Sequence, residues 1–213
     1  MLTLGRPGQS PYSVVREPAC GADPATREPG CPSEAVWSGA HGGWVRRENA
    51  DEAKERWRGI AEVIAREVER ATTGDAPIWP GDPSGLARAL VTVSFHESGF
   101  RRDVHEGVGP LAVGDCIRVA GRKICRSFCL VQISTGGPDL ERFGHKGREL
   151  VGLDDAATSR CIATGIRVLA QVRGGGARWF RETIARYGGG SPRARDTGWV
   201  AERVATFDRL GAL

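Results

Sequence analysis

The sequence predicts a mainly α-helical domain over residues 49–213, interrupted by a small β or loop insertion and preceded by a Pro/Gly-rich extension over residues 1–48. Three observations lead there. Apolar residues recur at intervals of three and four along most of the chain after residue 49, which is the period of a helix face. That period is lost over 101–135, where two short β-like pieces appear, GDCIRVAGRKIC and SFCLVQIS. The first 48 residues, including REPACGADPATREPGCPSEAVWSGAHGGWVRRE, carry Pro, Gly and Ser with no sustained period.

The extension has no core of its own, and Cys20, Cys31, Trp37 and Trp44 are the residues expected to tie it to the domain. Packing is the ordinary role for those tryptophans, and stacking on a sugar face is the functional alternative. The first helix starts after Asn49 as N-cap, with Asp51 and Glu52 in its first turn and Trp57, Ile60, Ile64 and Val68 on one apolar face. Pro80, Gly81 and Pro83 end that segment. Asp82 or Ser84 then caps a second helix carrying Leu86, Leu90 and Val93, and Gly99 stops it. Three more helices are expected at about 154–171, 177–187 and 197–210, separated by Gly174–Gly176 and Gly188–Gly190. Neither glycine run follows a strand in the G-x-G-x-x-G pattern, so nucleotide binding is not expected.

A chain of 213 residues with 40% apolar and 26% charged residues is large enough for one core and ordinary in composition. No run approaches the ~18 apolar residues that cross a bilayer, and MLTLGRPGQSPYS shows no visible signal peptide. The net charge of +4 favours an anionic polymer as partner. Without a basic run or an aromatic-interleaved basic stripe, that polymer is not expected to be nucleic acid. Six cysteines, none in C-x-x-C, fit disulfides in an oxidising compartment better than buried thiols. Cys20–Cys31 would close a local loop and Cys116–Cys125 would bridge a hairpin, which leaves Cys129–Cys161; spacing alone does not fix the pairing.

Glu97 continues the stripe Leu86–Leu90–Val93 at a spacing of four. A carboxyl group on the buried face of a helix is an informative exception. Apolar surroundings and the negative end of the helix dipole both disfavour a bare negative charge there. Such a group suits an acid that gives a proton to a glycosidic oxygen. The alternative is a Glu that bends out to water at the helix end.

Three segments carry a family resemblance. SFHESGF, behind an apolar helix, resembles the E-S-x-F segment of the soluble lytic transglycosylases of the lysozyme-like superfamily. FCLVQIS at 128–134 is similar to the family's G-L-M-Q-I stretch, and IARYGGG at 184–190 to its A-Y-N-x-G segment. The closing helix GWVAERVATFDRL is similar in character to the family's last helix. The resemblance implies a lysozyme-like α+β domain that cleaves the β-1,4 bond between N-acetylmuramic acid and N-acetylglucosamine in peptidoglycan. It implies Glu97 as catalytic acid and base, Ser98 as its supporting neighbour, Gln132 as a substrate-contacting amide, and Tyr187 as hydrogen-bond partner of Glu97 or of the acetamido group. This chain departs from the pattern at Cys129, where the family has Gly, and at Gly188, where it has Asn. The stretch between E-S and L-x-Q is also longer than in the simplest members.

A transglycosylase needs one carboxyl group. A hydrolytic muramidase or chitinase of related fold would want a second, ~5–9.5 Å away, and Asp103, Glu106 and Asp115 are the candidates. A catalytically weak wall-binding or phage structural module is the reading from another class, kept open by Gly188. The metal alternative is a zinc site from His96, His105, Asp103 and a Cys, but H-E-x-x-H is absent because Ser98-Gly99-Phe100 follows Glu97. The expectation is therefore an extracytoplasmic monomer (periplasmic, secreted or phage-associated) acting on peptidoglycan glycan strands, without cofactor or metal.

Overall fold

The computed structural model describes residues 35–38, 43–46, 48, 50–107, 114, 117–120, 122–189 and 198–212. Among the described residues the chain is mainly helical, with short antiparallel strand pairs that do not join into one sheet. In the extension, β1 (Ala35–Ser38) pairs with β2 (Gly43–Arg46), placing Trp37 opposite Trp44 in register. Four-residue strands are too short to leave a readable period. The chain then enters α1 (Ala50–Thr72), whose expected cap Asn49 lies outside the described residues.

Helix α1 buries Ile60, Val63, Ile64, Val68 and Ala71. Trp57, expected on this face, is instead 47% exposed. The inward stripe at this end passes through Arg56, one residue and about 100° around the helix. The Arg56 guanidinium is turned to Glu48 and to the Phe100 carbonyl, both at 2.7 Å. Helix α2 (Pro83–Ser98) has Pro83 at its start, where no amide hydrogen is needed, and ends on left-handed Gly99 at φ 60°. It buries Leu86, Ala89, Leu90 and Val93 almost completely.

Residues expected to be irregular open with a short helix, α3 (Arg102–Glu106), closed by Gly107 at φ 79°. Five residues are too few to show a 3.6 period, so this helix was not legible as one. Three antiparallel pairs follow: β3 (Ile117–Val119) with β4 (Arg122–Ile124), β5 (Ser127–Phe128) with β6 (Ile133–Ser134), and β7 (Glu141–Arg142) with β8 (His145–Lys146). A 3-10 turn at Gly147–Leu150 leads to α4 (Asp155–Gln171), whose N-cap Asp154 accepts the Ala157 amide at 2.8 Å. Helices α5 (Trp179–Gly189) and α6 (Gly198–Gly211) lie within two residues of their expected ranges.

The core forms where α1 packs on α4 and α2, and where α6 packs on α2 and α5. Cys161, Ile162 and Leu169 of α4 are fully enclosed. Each such Leu or Ile contributes about 1.5–3 kcal/mol by leaving water. Phe180 and Phe207 stack at 4.0 Å between α5 and α6. Cys129 is disulfide-bonded to Cys161 across 6.1 Å between Cα atoms, as the cysteine count had left over. Cys125 is disulfide-bonded too, while its expected partner Cys116, and both Cys20 and Cys31, lie outside the described residues. Among the described residues no helix is long and apolar enough to cross a membrane.

Candidate active site

Glu97 stands in the last turn of α2, and the turn after it is unusually well held. Ser98, 5% exposed, donates its hydroxyl to the Ser94 carbonyl at 2.7 Å and accepts the Phe100 amide at 3.2 Å. Gly99 and Phe100 are both left-handed, at φ 60° and 51°. For Phe100 that conformation costs about 1–2 kcal/mol, and the bond from Arg56 to its carbonyl helps to hold it. Ser98 thus ties the last turn of α2 to the turn that follows it.

The surroundings of Glu97 differ from the expected apolar pocket. Arg203 of α6 donates from Nη2 to Oε1 at 3.0 Å. The Glu97 side chain keeps 23% exposure while that of Arg203 keeps 8%. Oε2 has no partner among the described residues. The reason for the difference is tertiary: α6 lies across α2 and brings a cation to the helix end. The guanidinium is fixed in turn by donating from Nη1 to the Trp199 carbonyl at 3.2 Å and by lying 4.9 Å over the Trp199 ring. The far edge of that indole rests on Gly188, where an added Cβ would come within 2.8 Å of Cη2. The departure at 188 therefore has a local cause, because Trp199 fills the space a side chain there would need.

Tyr187 of α5 donates its hydroxyl to the Val131 carbonyl, not to Glu97. Burial, followed by the Glu97 charge, pushes the phenol's ionisation well up, against a smaller opposite pull from Arg142 and Arg203. Tyr187 is thus a permanent donor whose charged neighbours are Glu97, Arg142 and Arg203. Arg142 is held to the same stretch as Tyr187, donating to the Ser134 carbonyl at 2.9 Å.

That stretch turns sharply. Cys129 and Gln132 have φ 61° and 49°, values glycine adopts most easily. At Cys129, where the resemblance implies glycine, burial and the bond to Cys161 hold a side chain in the glycine-favouring conformation. Val131 packs inward against Gly165 of α4, where an added Cβ would lie 3.0 Å from its Cγ2. Gln132, expected to face substrate, donates its amide to the Cys129 carbonyl at 3.0 Å and sets its oxygen against Gly114. That bond takes one of the two amide hydrogens and helps to shape the loop.

Two of the three candidate second carboxylates have arginine partners. Asp103 is 3% exposed and enclosed with Arg101, whose Nε donates to Oδ1 at 2.9 Å. Glu106 approaches Arg102 at 3.6 Å, and Arg102 also reaches Glu48 at 3.7 Å. Neither carboxylate contacts Glu97, and Asp115 lies outside the described residues. The histidines go to separate partners. His96 bonds Thr206 of α6 at 3.0 Å and His105 bonds Thr158 of α4 at 2.7 Å. Each threonine gives its own proton to a helix carbonyl, Glu202 or Asp154, so each histidine donates from Nε2. Burial, then neighbouring arginines (Arg203 and Arg209 for His96, Arg56 for His105), pushes both down to about 4, and both are neutral at pH 7. With Asp103 held by Arg101, the residues of the zinc alternative are not gathered at one point, and no metal-holding cluster occurs among the described residues.

Arg203 and Trp199 are the site residues that the sequence reading missed. A signal existed: Val200, Arg203 and Phe207 are the buried residues of α6, at spacings of three and four. A charge on an apolar stripe marked Glu97, and the same rule marks Arg203. No protein-family model matches the chain, and neither curated proteins nor solved structures give a match.

Proposed function

We propose that the chain is a lytic transglycosylase that cuts the MurNAc-β-1,4-GlcNAc bond of peptidoglycan with Glu97 as the single catalytic carboxyl group. The observation that carries this reading is a partly exposed helix-end glutamate with one oxygen held by Arg203 and the other open, beside a permanently protonated Tyr187. Support also comes from the three resemblance segments: Tyr187 bonds to the Val131 carbonyl and feels the Glu97 charge, so all three meet here. In the reaction, protonated Glu97 gives its proton to the glycosidic oxygen as the C1–O bond breaks. The resulting carboxylate takes the proton of the muramyl 6-hydroxyl as that oxygen attacks C1 and closes a 1,6-anhydro ring. No water is consumed and no second carboxylate is required. Asp103 bound to Arg101 and Glu106 turned to Arg102 fit a route that asks nothing of either carboxylate. The disulfide suits an oxidising compartment, and the site of action we infer is extracytoplasmic.

Mass spectrometry of digested peptidoglycan tests the reading. Anhydro-muramyl ends are expected; reducing ends would make the enzyme a hydrolase, and intact strands would make it a binding module. Glu97→Gln should lower turnover by at least about 1,000-fold with an unchanged melting temperature, and an unchanged rate would remove Glu97 from the mechanism.

A further inference from the structure

We propose that Arg203 is a positioning residue that decides which oxygen of Glu97 carries the transferable proton. The proposal rests on the reading of Glu97 as acid and base. A guanidinium has donors only. With Nη2 at 3.0 Å from Oε1, a proton on Oε1 would face the guanidinium hydrogens. Protonated Glu97 therefore carries its proton on Oε2, which has no partner among the described residues and belongs to a side chain that is 23% exposed.

The same oxygen then serves both half-reactions. Oε2 releases its proton to the glycosidic oxygen as the C1–O bond breaks. While the carboxylate exists, Arg203 compensates the charge on Oε1. Oε2 next accepts the proton of the attacking hydroxyl as the new C1–O bond forms, and the starting state returns. Arg203 is built to stay in place during this cycle, being nearly enclosed, bonded to the Trp199 carbonyl and stacked on the Trp199 ring over Gly188. Tyr187 cannot substitute for it, since its one proton is given to Val131.

The test compares Arg203→Lys, Arg203→Gln and Arg203→Met in the full chain, with melting temperatures as the fold control. Lysine is also a donor only, whereas the glutamine amide can accept from Oε1 and so permits the proton on the wrong oxygen. Arg203→Lys should stay within about 10-fold of the parent kcat, while the Gln and Met variants fall about 100–1,000-fold with KM little changed. Added guanidinium should restore part of the Met variant's rate. A second readout is independent of activity: the infrared difference between the parent and Glu97→Gln in acid isolates the Glu97 C=O stretch. That band should lie lower in the parent and in Arg203→Lys than in Arg203→Met, because only the first two donate to Oε1. Parent-like kcat in Arg203→Gln, or a band that Arg203→Met does not move, would overturn the proposal. If the parent does not cut peptidoglycan, the functional reading falls and the infrared comparison still decides the role of Arg203. Should Arg203→Met fail to fold, the near-isosteric Lys and Gln variants decide it.

Discussion

At the scale of one residue, a single methyl group at Gly188 would be felt at Glu97. The added Cβ would meet Trp199 at 2.8 Å, and Trp199 carries the Arg203 guanidinium. Helix propensity alone would make Gly188→Ala stabilising by up to ~1 kcal/mol. Displacing an indole costs about 1–3 kcal/mol and wins. Chemical denaturation should therefore show a net loss, with kcat lowered about 10–100-fold as Arg203 is tilted off Oε1. A stabilised, fully active variant would show that the Trp199 contact does not matter. Glu97 was legible in the sequence because it extends Leu86–Leu90–Val93 in step. Arg203 was equally in step with Val200 and Phe207, yet its meeting with Glu97 was not legible, since no local period encodes a contact across 106 residues. The apolar surroundings expected for Glu97 failed for the same reason.

At the scale of elements, the long helices were legible and the short ones were not. Helices α2, α4, α5 and α6 repeat their apolar residues over three turns or more, whereas α3 and the two- to four-residue strands have no room for a period. Helix α1 was read correctly in kind but its stripe drifted at one end, because Arg56 finds charged and carbonyl partners there while Trp57 stays exposed. The turn from Cys129 to Gln132 is an element held by a covalent bond to α4. Replacing both cysteines, Cys129→Ala with Cys161→Ala, frees a loop of about thirty residues and should cost about 2–4 kcal/mol. It should also slow turnover, because the carbonyl that holds Tyr187 belongs to this turn. Denaturant melts and steady-state rates of the double variant measure both, and unchanged stability would mean the turn is held by packing alone.

At the scale of the whole molecule, two neutral histidines join helices far apart in sequence: His96 links α2 to α6, and His105 links α3 to α4. Both are pushed from the ordinary 6.5 down to about 4. The unfolded chain therefore binds protons that the folded one refuses, and the stability in question is complete above pH 6.5 and lost as pH falls toward 4. For His105, which faces Arg56, Arg102, Glu48 and Asp154 and whose Nδ1 is enclosed without a partner, the loss approaches about 3 kcal/mol. His96 is more exposed and contributes less. His105→Gln keeps a donor for Thr158 without a titrating ring. Its thermal stability should fall less than the parent's between pH 7 and pH 4, and an identical fall would assign the acid sensitivity to other groups. The 106 positions between Glu97 and Arg203 also set an order in time. A ribosome adding about 5–20 residues per second leaves Glu97 without its guanidinium for about 5–20 s. On the proposed role of Arg203, a nascent chain does not orient its acid until α6 has been made and docked, so its turnover stays low while it is being synthesised.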